Sequence, residues 1–139
     1  MAERVIAGRV IVAGEATGEA LVTREPLSFW GGYDFHSGVI IDKHHPLAGV
    51  RAGGRILVVP FSKGSSTTTA VLLEAVREGT APAAILTTGA DAFFALASIV
   101  ADLMYGKPFP VIALDPDDFA SLLTGDRLGV ARDGTISRF

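Results

Sequence analysis

At 139 residues, with 49% hydrophobic and 19% charged residues and a net charge of −3, the chain has the composition of one folded domain rather than of a disordered segment. No cluster of lysine or arginine offers a footprint for a nucleic-acid backbone. No apolar run reaches membrane-spanning length, and the first eight residues lack the apolar core of a signal peptide, so a cytoplasmic protein is expected. Cysteine is absent, which removes disulfides, thiolate nucleophiles and thiolate ligands to zinc or iron–sulfur clusters; any such metal has to come from another chain.

In chain order, Gly8 to Val22 reads as two short strands joined by a glycine-containing turn. Pro26 breaks the chain before Leu27 to Trp30, a possible third strand. Gly31, Gly32 and Gly38 punctuate a loop, and Val39 to Asp42 reads as a buried strand that Lys43-His44-His45-Pro46 leaves. After Arg55 the period changes. A strand over Ile56 to Val59 leads to a helix from about Ser66 to Glu78, with Gly79 as its C′ residue and Pro82 soon after. Ala83 to Thr87 is a strand, and a helix from Asp91, a good N-cap, runs to Met104 and closes at Gly106 and Pro108. Val111 to Leu114 is another strand, a carboxylate among Asp115, Asp117 and Asp118 caps a short helix through Leu123, and Arg127 to Ala131 pairs with Thr135 to Arg138 around Asp133-Gly134.

A β-rich start followed by strand–helix–strand–helix–strand predicts a single α/β domain over residues 1–139. Its mixed, partly parallel central sheet has helices on one side and a second β layer, built from the early strands, on the other. Right-handed crossovers would bring the Pro60–Thr69 and Thr87–Asp91 loops to one carboxyl edge of that sheet, where they could share a pocket.

The first of these loops carries the densest chemistry. Lys63-Gly64-Ser65-Ser66-Thr67 stands where a helix begins, beside N–H groups that have no partner within the helix and favour an anion. One N-cap needs one hydroxyl, and this loop has five in a row. The order of residues is wrong for a nucleotide-triphosphate loop. A serine here is either a nucleophile, which needs a base among His36, His44 and His45, or itself a base for C–H abstraction, its alkoxide held by the helix start. His44 and His45, adjacent on an extended chain, point to opposite sides and make a poor metal pair.

Gly31-Gly32-Tyr33-Asp34-Phe35-His36 resembles, over about ten residues, the phosphohistidine loop of swivelling domains in phosphoenolpyruvate-utilising enzymes. That makes a phosphocarrier using His36 one rival reading. Packing of His36 on Trp30 or Phe35 is the simpler alternative.

Three blocks together resemble one family over nearly the whole chain. They are Gly18-Glu19-Ala20-Leu21-Val22 with Pro26-Leu27-Ser28-Phe29-Trp30-Gly31-Gly32; Gly38-Val39-Ile40-Ile41-Asp42 with His45-Pro46-Leu47-Ala48-Gly49; and Gly64-Ser65-Ser66 with Gly79-Thr80-Ala81-Pro82-Ala83-Ala84-Ile85. In order and spacing they look like the small, swivelling-domain subunit of aconitase X, a distant branch of the aconitase superfamily.

The resemblance implies a swivelling β/β/α domain as at the aconitase C terminus. It also implies a heteromeric dehydratase in which a cysteine-bearing large subunit binds the iron or iron–sulfur centre, so that this chain binds no cofactor and is inactive alone. By the same resemblance Ser65 is the catalytic base, removing a carbon-bound proton while the partner's iron polarises the departing hydroxyl. Lys63, Gly64, Ser66 and Thr67 would hold a carboxylate or phosphate of a small anionic substrate, with Ser62, Asp42 and His45 lining the cleft. Aconitases carry an arginine after the two serines where this chain has Thr67. The family's substrates suggest cis-3-hydroxy-L-proline or a related small hydroxy acid, or mevalonate 5-phosphate. A regulatory subunit with the fold and no chemistry is the remaining rival.

Overall fold

The computed structural model describes residues 4–63 and 67–139. The strands are β1 Arg4–Ala7, β2 Arg9–Val12, β3 Ala16–Val22, β4 Tyr33–Asp34, β5 Val39–Ile40, β6 Ile56–Val58, β7 Ala84–Thr87, β8 Val111–Ala113, β9 Arg127–Val130 and β10 Thr135–Arg138. The helices are α1 Thr67–Glu78, α2 Ala92–Tyr105 and α3 Pro116–Ser121. Eight strands join in the order β1-β10-β9-β3-β6-β7-β8-β2, and β4 pairs with β5. The β3–β6, β6–β7 and β7–β8 pairs are parallel, and the others are antiparallel. This is the mixed α/β architecture that the strand–helix alternation predicts.

Parallel strands buried on both faces need apolar residues at consecutive positions, and the sequence supplies them. Along β6, Ile56 and Val58 face one core while Leu57 faces the other; in β7, Ala84 and Leu86 oppose Ile85 in the same way. The first core is closed by Val71, Leu72, Ala75 and Val76 of α1 and Phe94, Ala97 and Ala101 of α2. The second is closed by Ile6, Leu128, Val130 and Ile136 from β1, β9 and β10, with Phe119 of α3. Fully burying one such aliphatic side chain is worth ~1.5–3 kcal/mol, so the two cores outweigh any single polar contact below.

The second β layer is not made by the early strands alone. β3 belongs to both layers: Ala20 to Val22 pair in parallel with Ile56 to Val58, while Ala16 to Glu19 pair antiparallel with Val130 to Arg127. β1 lies on β10 in the second layer, and β2 crosses to β8 in the first. Gly8 lies between them, and a Cβ there would collide with Ile112 Cγ2 and stand 2.9 Å from the Gly134 carbonyl oxygen. Only glycine lets the chain change layers so close to β8.

Other differences are local. Leu27 to Trp30 forms no strand: the chain turns as the Gly32 and Tyr33 N–H groups donate to the Phe29 carbonyl, and a single bridge, Leu27 to Ser62, remains. The buried strand expected through Asp42 stops at Ile40. Asp42 instead caps a turn, its side chain accepting from His44 N–H and its carbonyl from His45 N–H. Among the described residues no helix is long and apolar enough to cross a membrane.

Candidate active site

Three segments meet at the carboxyl ends of β3, β6 and β7. Thr23 N–H donates to the Val58 carbonyl at 2.9 Å, and Lys63 N–H to the Leu27 carbonyl at 3.0 Å. Thr88 donates to the Pro60 carbonyl through its N–H at 3.3 Å and its hydroxyl at 3.1 Å. The loops after β6 and β7 therefore lie side by side, as the crossover rule requires.

Asp91 joins them. Its Oδ1 accepts from the N–H groups of Phe93 at 3.0 Å and Phe94 at 3.1 Å, capping α2, while its Oδ2 accepts from Ser62 N–H at 2.7 Å and Ser62 Oγ at 2.8 Å. Asp91 as a whole is 9% exposed, and four donors offset the cost of burying its carboxylate. Beyond the loop, Thr69 Oγ1 donates to the Phe93 carbonyl at 3.1 Å, on the same turn of α2. Below this junction Phe94 meets Phe29 edge to face, ring centroids 5.6 Å apart.

Ser62 and Lys63 thus stand at one edge with the first residue of α1, Thr67. Lys63 is exposed and has no ion-pair partner among the described residues. The first turn of α1 holds no acidic residue, so no carboxylate of that turn competes with an anion for the helix-start N–H groups. The expectations for Gly64, Ser65 and Ser66 lie outside the described residues.

Asp42 and His45 belong to another loop, and no hydrogen bond ties either side chain to Ser62, Lys63 or Asp91 among the described residues. His45 Nδ1 accepts from Leu47 N–H at 3.0 Å, which puts the proton of a neutral ring on Nε2. That nitrogen is buried without a partner among the described residues. His36 lies beside the other end of α1: its ring is 4.4 Å from that of Phe35 and its Nδ1 is 2.7 Å from Glu78 Oε1. A 12-residue helix is about 18 Å long, which removes His36 as a partner for a group at the start of α1.

Asp91 was legible only as an N-cap. The cap pattern identifies one oxygen's work; the second oxygen's donor, Ser62, is 29 residues away and no local spacing announces it. Among the described residues no group of three or more His, Asp or Glu is gathered to hold a metal ion. A groove of about 560 Å³ lies at the opposite end of α2, between Val12–Glu15 and Ile99–Leu103, away from this junction. Next to Ser62, Phe61 is 52% exposed; Trp30, 70% exposed, lies instead with Tyr33, Phe35, Ile41 and Val71 around a separate cavity of about 380 Å³.

The pattern of the family described as "Aconitase X swivel domain" matches residues 5–138. The chain is 43% identical over 134 residues to a cis-3-hydroxy-L-proline dehydratase of Pseudomonas aeruginosa, covering 92% of this chain and 23% of that one. It therefore spans less than a quarter of that relative's length. With the phosphomevalonate dehydratase small subunit of Methanothermobacter thermautotrophicus it shares 37% identity over 115 residues, 83% of each chain. The fold superposes on the crystal structure of Thermococcus kodakaraensis aconitase X (holo-form) with a TM-score of 0.86 and 34% identity, covering 98% of both chains.

Proposed function

The chain belongs to the aconitase X swivel-domain family, and on that premise we propose that it is the small subunit of a hydro-lyase, supplying a catalytic serine to an active site shared with a large subunit. The observation that carries this reading is the junction at the start of α1. There Ser62 and Lys63 lead into Gly64-Ser65-Ser66, and Thr67 opens a helix with no acidic residue in its first turn.

Ser65, as its alkoxide, takes the proton from the carbon next to the one bearing the hydroxyl. The C–H electron pair becomes the double bond, and the hydroxyl leaves with its bonding electrons. Lys63 and the N–H groups at the helix start hold the substrate's carboxylate or phosphate. Ser66 and Thr67 are further hydroxyl contacts, and Asp42 and His45 are assigned to the cleft wall only as it closes.

Magnitudes argue that this loop does not act in open water. A helix N-terminus stabilises a neighbouring negative charge by up to about 2 kcal/mol, or roughly 1.5 pKa units. That is too little to ionise a serine by itself. Exclusion of water by a covering subunit strengthens the contribution of Lys63 and the N–H donors, which is why the isolated chain is proposed to be inactive. Exposed Phe61, next to Ser62, fits an edge that another chain covers. The described residues do not suit the iron or iron–sulfur centre expected of the family. We assign that centre to the large subunit, and no step of this chain's chemistry passes through it.

For substrate we favour a cyclic hydroxy amino acid of the cis-3-hydroxy-L-proline type over mevalonate 5-phosphate, following the higher identity to the relative that bears the first name. The test is reconstitution with the large subunit and turnover of both compounds. Ser65→Ala should lower turnover about 10²–10⁴-fold with assembly intact. Unchanged turnover would remove the serine base and leave a non-catalytic subunit. Dehydration by the isolated chain at a comparable rate would contradict the divided site.

A further inference from the structure

We infer that Asp91 is a positioning residue: its carboxylate latches the entrance of the serine loop to the first turn of α2 and thereby sets where that loop presents its groups. The inference rests on the serine-loop reading above and deepens it. Two anchors bracket the loop. Ser62, three residues before Ser65, gives both its N–H and its hydroxyl to Asp91 Oδ2. Thr69, four residues after Ser65, gives its hydroxyl to the Phe93 carbonyl.

Both anchors end on the same turn of α2, which Asp91 Oδ1 holds by capping Phe93 and Phe94. Ser62 and Thr69 are thereby tied to one platform. Phe94, fully buried, fixes that platform to the core. A glycine-containing loop otherwise has much backbone freedom to lose when it meets a substrate. Pinning it at both ends removes part of that loss beforehand. A base that must meet one carbon-bound proton gains most from this, because small misplacements of reacting groups are costly.

The two oxygens have separate tasks, and substitution can separate them. Asp91→Asn keeps an Oδ1 that can cap Phe93 and Phe94, and puts an NH₂ group, which cannot accept, against Ser62 N–H. Ser62→Ala removes one of the two donors and leaves the other. In the reconstituted heteromer, Asp91→Asn should lower kcat about 10–100-fold with assembly unchanged. Ser62→Ala should lower it less. The double variant should match Asp91→Asn alone, because both changes act on one contact; losses that multiply independently would overturn the latch.

A second readout needs no activity. In the isolated full chain, amide exchange at Ser62 should quicken at least about tenfold in Asp91→Asn, while Phe93 and Phe94 keep their protection. Equal protection of Ser62 in both proteins would overturn the latch, as would wild-type kcat in Asp91→Asn. Wild-type turnover in Ser65→Ala would instead overturn the serine base, and the exchange measurement would still decide for or against the latch.

Discussion

The two ends of α1 are built to opposite plans. At the C-terminal end the polar groups satisfy one another: the Tyr33 hydroxyl donates to the Thr80 carbonyl at 2.8 Å, the Thr80 hydroxyl donates to the Phe35 carbonyl, and His36 meets Glu78. At the N-terminal end two anchors bracket a loop rich in hydroxyls. Lys63 has no ion-pair partner there among the described residues, and the neighbouring Phe61 is bare. Both regions attract attention in the sequence through glycine, histidine or serine next to aromatics. Among the described residues the difference rests on Lys63: a polar group whose partners lie within the fold contributes to stability, and a charge presented without a partner is available to a ligand.

Breaking what joins the two ends should have the largest effect on the fold. Phe29, fully buried, has its ring 5.1 Å from Tyr33 on one side and 5.6 Å from Phe94 on the other. Phe29→Ala should cost about 3–5 kcal/mol, read from denaturant unfolding, and loosen both ends of α1 together. A loss below about 1 kcal/mol would mean that the two ends are not coupled through this ring.

Tyr33→Phe acts at the C-terminal end alone. It strands the Thr80 carbonyl that its hydroxyl serves and should cost about 1–2 kcal/mol while leaving turnover of the heteromer unchanged. Burial pushes the Tyr33 phenol above its ordinary value of 10.0, against a smaller opposing pull from Arg51. A raised folded value means that the contribution is complete below the unfolded value and is lost as pH rises beyond it. Wild-type stability should therefore fall more steeply than that of Tyr33→Phe above about pH 10, as alkaline unfolding curves would reveal.

His36→Ala should change least. Its side chain is 70% exposed, and an exposed pair of this kind is worth at most about 1 kcal/mol. Turnover should match wild type, and incubation with phosphoenolpyruvate and a suitable kinase domain should leave no acid-labile phosphate on the chain. Labelling that disappears in His36→Ala would transfer the chemistry to the other end of the helix.

Much of this arrangement could be read locally. Asp91 and Gly106 mark both ends of α2, with an αL conformation at Gly106, and Asp133-Gly134 marks the turn between β9 and β10. The consecutive apolar residues of β6 and β7 predict strands buried on two faces. Strand partners were harder to read, because alternation says which residues share a face and not which distant strand lies beside them. So β1 beside β10, β2 beside β8 and the double membership of β3 are properties of the folded chain. β4 was missed for another reason, and with it the partner of β5, which the sequence indicates through Val39 and Ile40: a two-residue strand in a glycine-punctuated stretch carries too short a pattern to stand out from a loop. At the candidate site, residue types announce an anion-binding helix start, whereas the contact between Asp91 and Ser62 exists only once the β6 and β7 loops are neighbours.

The pairing of β1 with β10 sets Arg4 opposite Arg138, so the first and last strands of the domain open at the same place, with opposed Cα atoms about 4.5–5.5 Å apart. A longer polypeptide could enter and leave the domain through that single doorway without threading past the helices. The same fold can then serve as an insert, as an appendage at either end of a larger enzyme, or as a separate chain. A circular permutant that bridges these ends with a short linker and opens the chain at an exposed turn should keep every strand pairing described above.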